Sequence, residues 1–174
     1  MFRTGLVLAA ATSLFGAAVA GPDDFKTGPL IEAYGGVAEI ADARLDAETR
    51  FKIAYDVAKA ADTGEINRRL ETAARFLNMH AAAGVPSENM QIAIVVHGGA
   101  SKDLVTDARY GGENANAGLI SALIDAGVSI ELCGQTAAYY DITQEDLLPG
   151  VSMSLSAMTS HALLQQDGYT LNPF

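Results

Sequence analysis

The chain has 174 residues, of which 49% are hydrophobic and 18% charged, and its formal net charge at pH 7 is −10. A surface this acidic repels phosphate backbones and anionic lipid headgroups, which argues against nucleic acid or a membrane surface as a partner. The single cysteine, Cys133, excludes an internal disulfide, so the fold must be stabilised by its apolar core.

The first 20 residues have the pattern of an export signal. Arg3 is followed by an apolar run of 15 residues, and the segment closes with the small residues Ala18 and Ala20, at the positions that a signal peptidase reads. The alternative is a retained membrane anchor, but a spanning helix needs about 20 apolar residues. No cysteine follows the cleavage position, which argues against a lipoprotein anchor. We therefore expect a periplasmic or secreted protein that has no membrane attachment after cleavage.

The first half of the remaining chain predicts an extension and then two strands around a helix. Residues 21–48 mix proline, glycine and acids, and we interpret them as an N-terminal extension with a short strand at 36–40; a single domain of residues 49–174 follows. Alternation in residues 51–57 predicts the first strand, and apolar spacing in 65–83 predicts a helix that ends at Gly84. The apolar run MQIAIVV predicts a strand buried on both faces.

The second half continues the alternation of helices and strands. Residues 113–127 predict a helix capped by Asn114 and ended by Gly127. A strand is predicted at VSIELC, a short helix at TAAYYDI and another strand at GVSMSLS. A closing helix is predicted at AMTSHALLQQDG, and a tail or edge strand at YTLNPF. Strands separated by helices indicate crossover connections. They predict an α/β fold, a three-layer sandwich with a mainly parallel sheet flanked by helices on both faces.

Ligands of such sheets gather at the carboxyl ends of the strands. Two of these ends carry unusual residues here, because one strand ends at His97 and another at Cys133. We predict that Cys133 is a partly exposed, reactive thiol, since free amide groups and a helix amino terminus can lower a thiol pKa, and that His97 is its base. The neighbouring residues expected to contact a ligand are Gly98, Gly99, Gly134, Gln135 and Thr136.

Less specific interpretations of these residues stay open. Cys133 could be a small buried packing residue, and His97 could be tied to a nearby backbone carbonyl. His80 is interpreted as structural, and His161 as structural or part of an interface. Three scattered histidines and one cysteine do not have metal-ligand spacing, and the glycine pairs match neither phosphate-binding pattern, so no metal and no cofactor are expected.

Five segments in order resemble the DsrE/DsrF-like, or YchN-like, family, and more narrowly an exported branch of it. They are RFLNMHAAAGVP, IAIVVHGGA, GVSIELCGQTAAYYDI, EDLLPGVSMSLSAM and LLQQDGYTLNPF, and the resemblance runs over residues 27–174. It implies a three-layer α/β fold and a homo-oligomer, a trimer or a hexamer. In the sulfur-relay members a cysteine at the end of this strand carries persulfide sulfur, and Cys133 is the matching position.

The resemblance therefore implies a sulfur carrier or thiol-redox protein with a sulfur donor or acceptor protein as its partner. Two features depart from the relay members: the export signal, and Tyr139, Tyr140 and Asp141 where those members often carry arginine and glycine. The alternative function is a non-catalytic oligomer that binds a small ligand or serves in assembly and in which the cysteine is structural.

We predict that the mature protein begins at Gly21, because Ala18 and Ala20 satisfy the small-residue cleavage rule. Intact-mass analysis of protein purified from its native host measures this directly. A mass that includes residues 1–20 would contradict the prediction.

Overall fold

A computed structural model of the protein describes residues 21–173. The predicted export signal, residues 1–20, lies outside the described residues. Five parallel strands form one sheet in the order β4-β3-β2-β1-β5. The strands are β1 Phe51–Val57, β2 Met90–Val96, β3 Ser129–Cys133, β4 Ser152–Ser154 and β5 Thr170–Asn172. The predicted parallel α/β fold is therefore confirmed, and the carboxyl-terminal segment is an edge strand.

The helices lie on both faces of this sheet. They are α1 Arg68–Ala82, α2 Asp107–Tyr110, α3 Ala117–Asp125, α4 Gly134–Tyr140 and α5 Ala157–Gln166. The alternation of side chains along the strands decides which face each helix covers. Tyr55 and Leu132 belong to the buried core that α1 and α3 complete, whereas Asp56 and Glu131 point to the opposite face and hydrogen-bond with side chains of α5. In residues 21–173 no helix combines the length and the apolar character needed to cross a membrane.

The ends of the helices partly differ from those predicted. Gly84 and Gly127 follow the ends of α1 and α3 with φ angles of +107° and +86°, which confirms them as helix stops. Asn114 is not the cap of α3: the cap position is Asn116, and the Asn114 amide instead donates to the carbonyls of Asp103 and Val105. The short strand expected at residues 36–40 is a single antiparallel bridge between Lys26 and Val37.

A buried amide makes several of the hydrogen bonds that attach the N-terminal extension to the domain. The side chain of Asn78, on α1, is fully buried. Its Oδ1 accepts hydrogen bonds from the N–H groups of Leu30 and Ile31 at 3.1 and 2.8 Å. Its Nδ2 donates to the carbonyls of Ile31, Tyr34 and Gly35 at 2.9–3.1 Å. One side chain thus hydrogen-bonds five backbone groups of the extension, with its two N–H hydrogens shared among three carbonyls.

A buried carboxylate joins the loops at the carboxyl edge of the sheet. Asp103 is 1% exposed, and its Oδ2 accepts hydrogen bonds from the Ala61 N–H at 2.9 Å and from the Asn67 side chain at 2.7 Å. Its Oδ1 has no hydrogen-bond partner among the described residues. Burial raises the pKa of Asp103, although these hydrogen bonds and Lys102 oppose the increase.

The raised pKa of Asp103 predicts a pH-dependent contribution to stability. The folded state holds this proton more tightly than the unfolded state, so stability falls as pH rises above the unfolded pKa of about 3.9. In Asp103→Asn no proton is lost, so the free energy of unfolding of the wild type minus that of the variant should decrease as pH rises above about 3.9. A single proton can change the free energy of unfolding by at most about 1.4 kcal/mol per pH unit.

Urea unfolding of both proteins between about pH 4 and about pH 8 measures this difference. Asp62→Asn removes an exposed carboxylate from the same region and is the matched control. The free energy of unfolding of Asp62→Asn should change with pH in parallel with that of the wild type. A parallel curve for Asp103→Asn as well would contradict the prediction.

Candidate functional site

A cleft of about 290 Å³ lies at the carboxyl edge of the sheet. Strand β1, the residue after β2, the end of β3 and the first turns of α4 and α5 all contribute to it. This convergence follows from the parallel alignment, which brings the carboxyl ends of neighbouring strands to one edge. The lining residues are Asp56, His97, Cys133, Gln135, Thr136, Ser156, Ala157, Met158 and His161.

Cys133 is the last residue of β3 and is buried, with 6% of its surface exposed. The predicted partial exposure is wrong, because residues from the starts of both α4 and α5 lie against the sulfur. Burial alone would raise the pKa of the Cys133 thiol. Hydrogen bonds from the backbone N–H groups of Ala157, Thr136 and Gln135 and from the Thr136 hydroxyl lower it, and their combined effect is larger than that of burial. The pKa therefore lies below its usual range, since these donors stabilise the thiolate more than burial penalises it.

His97 contacts a carboxylate and not a backbone carbonyl. Its Nε2 lies 3.2 Å from both oxygens of Asp56. The same carboxylate contacts a second imidazole, because Nε2 of His161 lies 2.8 Å from Asp56 Oδ1. Asp56 thus bridges the histidine that follows β2 and the histidine on α5. Two imidazoles, one carboxylate and one thiol consequently line a single cleft.

Of the other residues predicted to contact a ligand, some line this cleft and others do not. Gln135 and Thr136 line it, and the Thr136 hydroxyl accepts a hydrogen bond from the Gly98 N–H at 3.1 Å, which ties the loop after β2 to α4. Gly99 faces the backbone at Ala58 and lines a neighbouring pocket instead. Gly134 faces the end of β4. The structure therefore brings His97, Cys133, Gln135 and Thr136 together and leaves Gly98, Gly99 and Gly134 outside the lining of the cleft.

Asp56, Ser156 and Ala157 were not predicted from the sequence, and His161 was interpreted as structural or part of an interface. Asp56 carries a detectable signal: it is an acid inside an apolar strand, one residue before the carboxyl end. His161 lies 105 positions from Asp56, and only the path of α5 across the sheet brings the two together. The Ala157 contribution is a backbone N–H, which a sequence cannot reveal.

A bridging carboxylate beside two imidazoles and a thiol raises the question of a metal centre. Within residues 21–173, however, no group of three or more histidine, cysteine, aspartate and glutamate side chains has the geometry to hold a metal ion. The imidazole Nε2 atoms are directed at the carboxylate itself. The arrangement is a hydrogen-bonded cluster next to a thiol whose pKa is lowered.

The fold and the cleft together define a parallel α/β protein with an acidic thiol at the carboxyl edge of its sheet. Residues 47–173 match the model of the DsrE/DsrF-like family, so the chain belongs to that family. No curated protein matches the chain.

Two solved structures have the same fold. A protein of unknown function from Methanobacterium thermoautotrophicum, MTH1491, is 20% identical, with a TM-score of 0.55, over 70% of this chain and 97% of its own. The ychN protein of E. coli is 18% identical, with a TM-score of 0.50 and the same two coverages. At these identities the likeness concerns the fold alone.

Gly134 leads to a prediction about the geometry around the thiol. A Cβ atom at this position would collide with the carbonyl oxygen of Ser154 and lie 3.2 Å from that of Leu155. These carbonyls belong to the last residue of β4 and the residue after it, so relief of the collision must displace the chain that leads to the Ala157 N–H. We expect Gly134→Ala to lower the free energy of unfolding by about 1–3 kcal/mol and to raise the thiol pKa.

Urea unfolding and the pH dependence of thiol alkylation measure the two effects. Gly112→Ala is the matched control, because a Cβ there meets no atom within 4 Å. It should change stability by no more than about 0.5 kcal/mol. A Gly134→Ala variant as stable as this control would show that the close contact has no energetic consequence.

Proposed function

We propose that the protein is a single-cysteine sulfur carrier. It accepts a sulfane sulfur atom on Cys133 and passes it to an acceptor thiol. The observation that supports this proposal best is the set of hydrogen-bond donors around the sulfur, from Gln135, Thr136 and Ala157. A thiolate attacks sulfane sulfur, whereas a thiol does not. Membership of the DsrE/DsrF-like family is consistent with this chemistry.

The same donors suit the product of the transfer. Attack by the Cys133 thiolate on a donor persulfide forms a new S–S bond, breaks the S–S bond of the donor and releases the donor thiolate. The resulting cysteine persulfide is itself an anion, so N–H groups that face the sulfur stabilise it as well. No second cysteine is available in the chain to resolve the persulfide, so the sulfur must leave to another molecule.

The burial of Cys133 favours a second candidate. With 6% of its surface exposed, the cysteine has the burial of a packing residue, as expected of a non-catalytic protein that binds a small ligand or serves in assembly. The two candidates differ in one measurable property. A carrier thiol must react in the folded protein, whereas a packing residue reacts only when the protein unfolds.

Export and homo-oligomerisation form part of the proposal and stay predictions. Export is supported by the pattern of residues 1–20 alone. Assembly into a trimer or a hexamer is supported by the family resemblance and by exposed apolar side chains around the start of α5. Leu155 is 71% exposed and Met158 is 81% exposed. In an exported carrier, the donor and acceptor of sulfur would also lie outside the cytoplasm.

Incubation of the folded protein with inorganic polysulfide tests the proposal. Intact-mass spectrometry should reveal the gain of one sulfur atom, and cyanide should remove that atom as thiocyanate. Cys133→Ser should gain none, because it replaces the nucleophile with a hydroxyl of similar size. Sulfur uptake that occurs only after unfolding in urea would contradict the carrier proposal and favour the structural role of the cysteine.

A further inference from the structure

A second pocket lies at the carboxyl edge of the sheet, beside the cleft that contains Cys133. Its volume is about 390 Å³, and sites for small molecules commonly have about 300–1,000 Å³. The loop after β2, helix α2 and the end of α4 contribute its lining. It shares no lining residue with the Cys133 cleft, so the proposed sulfur transfer does not use it.

Two basic side chains line this second pocket, and neither is paired with a carboxylate. Nζ of Lys102 lies 4.8 Å from the centre of the Tyr110 ring and 3.3 Å from Thr63 Oγ1. Nη2 of Arg109 donates to two carbonyls at the end of α4, at 2.7 and 2.9 Å. Within residues 21–173 no carboxylate oxygen lies within 4.0 Å of either cation. Neutral partners therefore hold both side chains in place.

Carboxylates in the neighbourhood hydrogen-bond to other groups. The charge of Arg109 acts on Asp146, whose Oδ2 accepts hydrogen bonds from the N–H and the hydroxyl of Thr143 at 2.8 and 3.0 Å. The charge of Lys102 acts on Asp103, which is buried and accepts hydrogen bonds from the loop after β1. These carboxylates offset part of the positive charge without forming an ion pair with it.

The two cations keep hydrogen-bond donors for a ligand. Arg109 uses Nη2 alone, and its Nη1 and Nε have no hydrogen-bond partner in the part of the chain that the structure describes. A planar guanidinium matches the oxygens of a carboxylate, a sulfonate or a phosphate. The Lys102 ammonium has three hydrogens, of which Thr63 accepts one. Because the chain as a whole has a net charge of −10, this pair of unpaired cations is a local exception on an acidic surface.

The rest of the lining is largely apolar or aromatic. Val105 and Ile142 are buried, and the rings of Tyr110 and Tyr140 line the pocket with them. Tyr139 packs edge to face against Tyr140, with ring centres 4.9 Å apart, which orients the Tyr140 ring. Aromatic side chains of this kind stack on flat apolar groups. The pocket therefore combines positive charge with surfaces that suit a flat ring.

We propose that this pocket binds a small organic anion. Its carboxylate, sulfonate or phosphate group contacts Lys102 and Arg109, and its flat apolar body packs against Tyr110 and Tyr140. A single anionic group fits best, because two cations are present and nearby carboxylates offset part of their charge. The proposal is independent of the sulfur carrier function, since Cys133 lines the other cleft.

The matched probes 2-naphthoate and 2-naphthamide test the proposal on the unaltered protein. They have nearly the same shape, and only naphthoate is charged. In ¹H–¹⁵N correlation spectra recorded in about 0.15 M salt, naphthoate should shift the amide signals of residues 101–110 and 140–142 in a saturable way. Its Kd should be at least about tenfold lower than that of naphthamide, because only the anion forms charge-assisted hydrogen bonds. Equal affinities, shifts confined to other residues, or no saturation up to about 10 mM would overturn the proposal.

The variant Lys102→Gln should raise the Kd for naphthoate about tenfold and leave that for naphthamide unchanged, because it removes a positive charge from the pocket. Lys59→Gln is the matched control. Lys59 is an exposed cation at the same edge of the sheet, outside this pocket, and its loss changes the net charge equally. The Kd of this control should stay within about twofold of the wild type, since salt screens distant charges. An equal effect of the two variants would show that net charge, and not the pocket, determines binding.

The variant Cys133→Ser separates this proposal from the carrier function. It should bind naphthoate as the wild type does, although it takes up no sulfur from polysulfide. Loss of naphthoate binding in Cys133→Ser would contradict the assignment of the anion to a separate pocket. A wild-type protein that binds naphthoate at residues 101–110 and 140–142 but takes up no sulfur refutes the carrier function alone.

Discussion

The parallel alignment of β1, β2 and β3 is the constraint on which the cleft depends. The registers pair Val57 with Val96 and Val96 with Leu132, so the chain leaves all three strands at the same level. His97 and Cys133 each follow one of these paired residues, and Asp56 precedes another. The strand register alone therefore brings side chains from distant parts of the sequence to the same edge of the sheet. The hydrogen bonds that Asp103 accepts from Ala61 and Asn67 then join the loop after β1 to the loop after β2.

The helix that crosses the open face of the sheet supplies the rest of the site. Helix α5 contributes a backbone N–H to the sulfur and an imidazole to Asp56. The cysteine is consequently covered by the same element that makes it acidic. Burial and hydrogen bonding have opposite effects on a thiol, and the donors have the larger effect here. A buried cysteine and a reactive one are thus not exclusive alternatives, provided that the covering element can move or that the reacting molecule is small.

How far the sequence predicts the structure depends on the range of the interactions involved. The long strands and helices are local, since alternation in β1 and helical spacing in α1 follow from neighbouring residues. The helix stop at Gly84 is local as well. Asn114 was misassigned because its side chain hydrogen-bonds to Asp103 and Val105, residues that belong to another element. The convergence of His97 and Cys133 at one edge followed from parallel topology. The pairing of Asp56 with His161 depends on the path of α5, which no local pattern encodes.

The attachment of the extension through Asn78 has a consequence for the order of folding. The backbone groups of residues 30–35 need an amide on α1, and that helix is synthesised after them. The extension therefore cannot acquire its final conformation until α1 has formed. In the native state the same five hydrogen bonds form one cooperative unit. Loss of the Asn78 hydrogen bonds would therefore loosen residues 30–35 in a local opening, while Leu45 and Ala47 still hold the end of the extension to the domain.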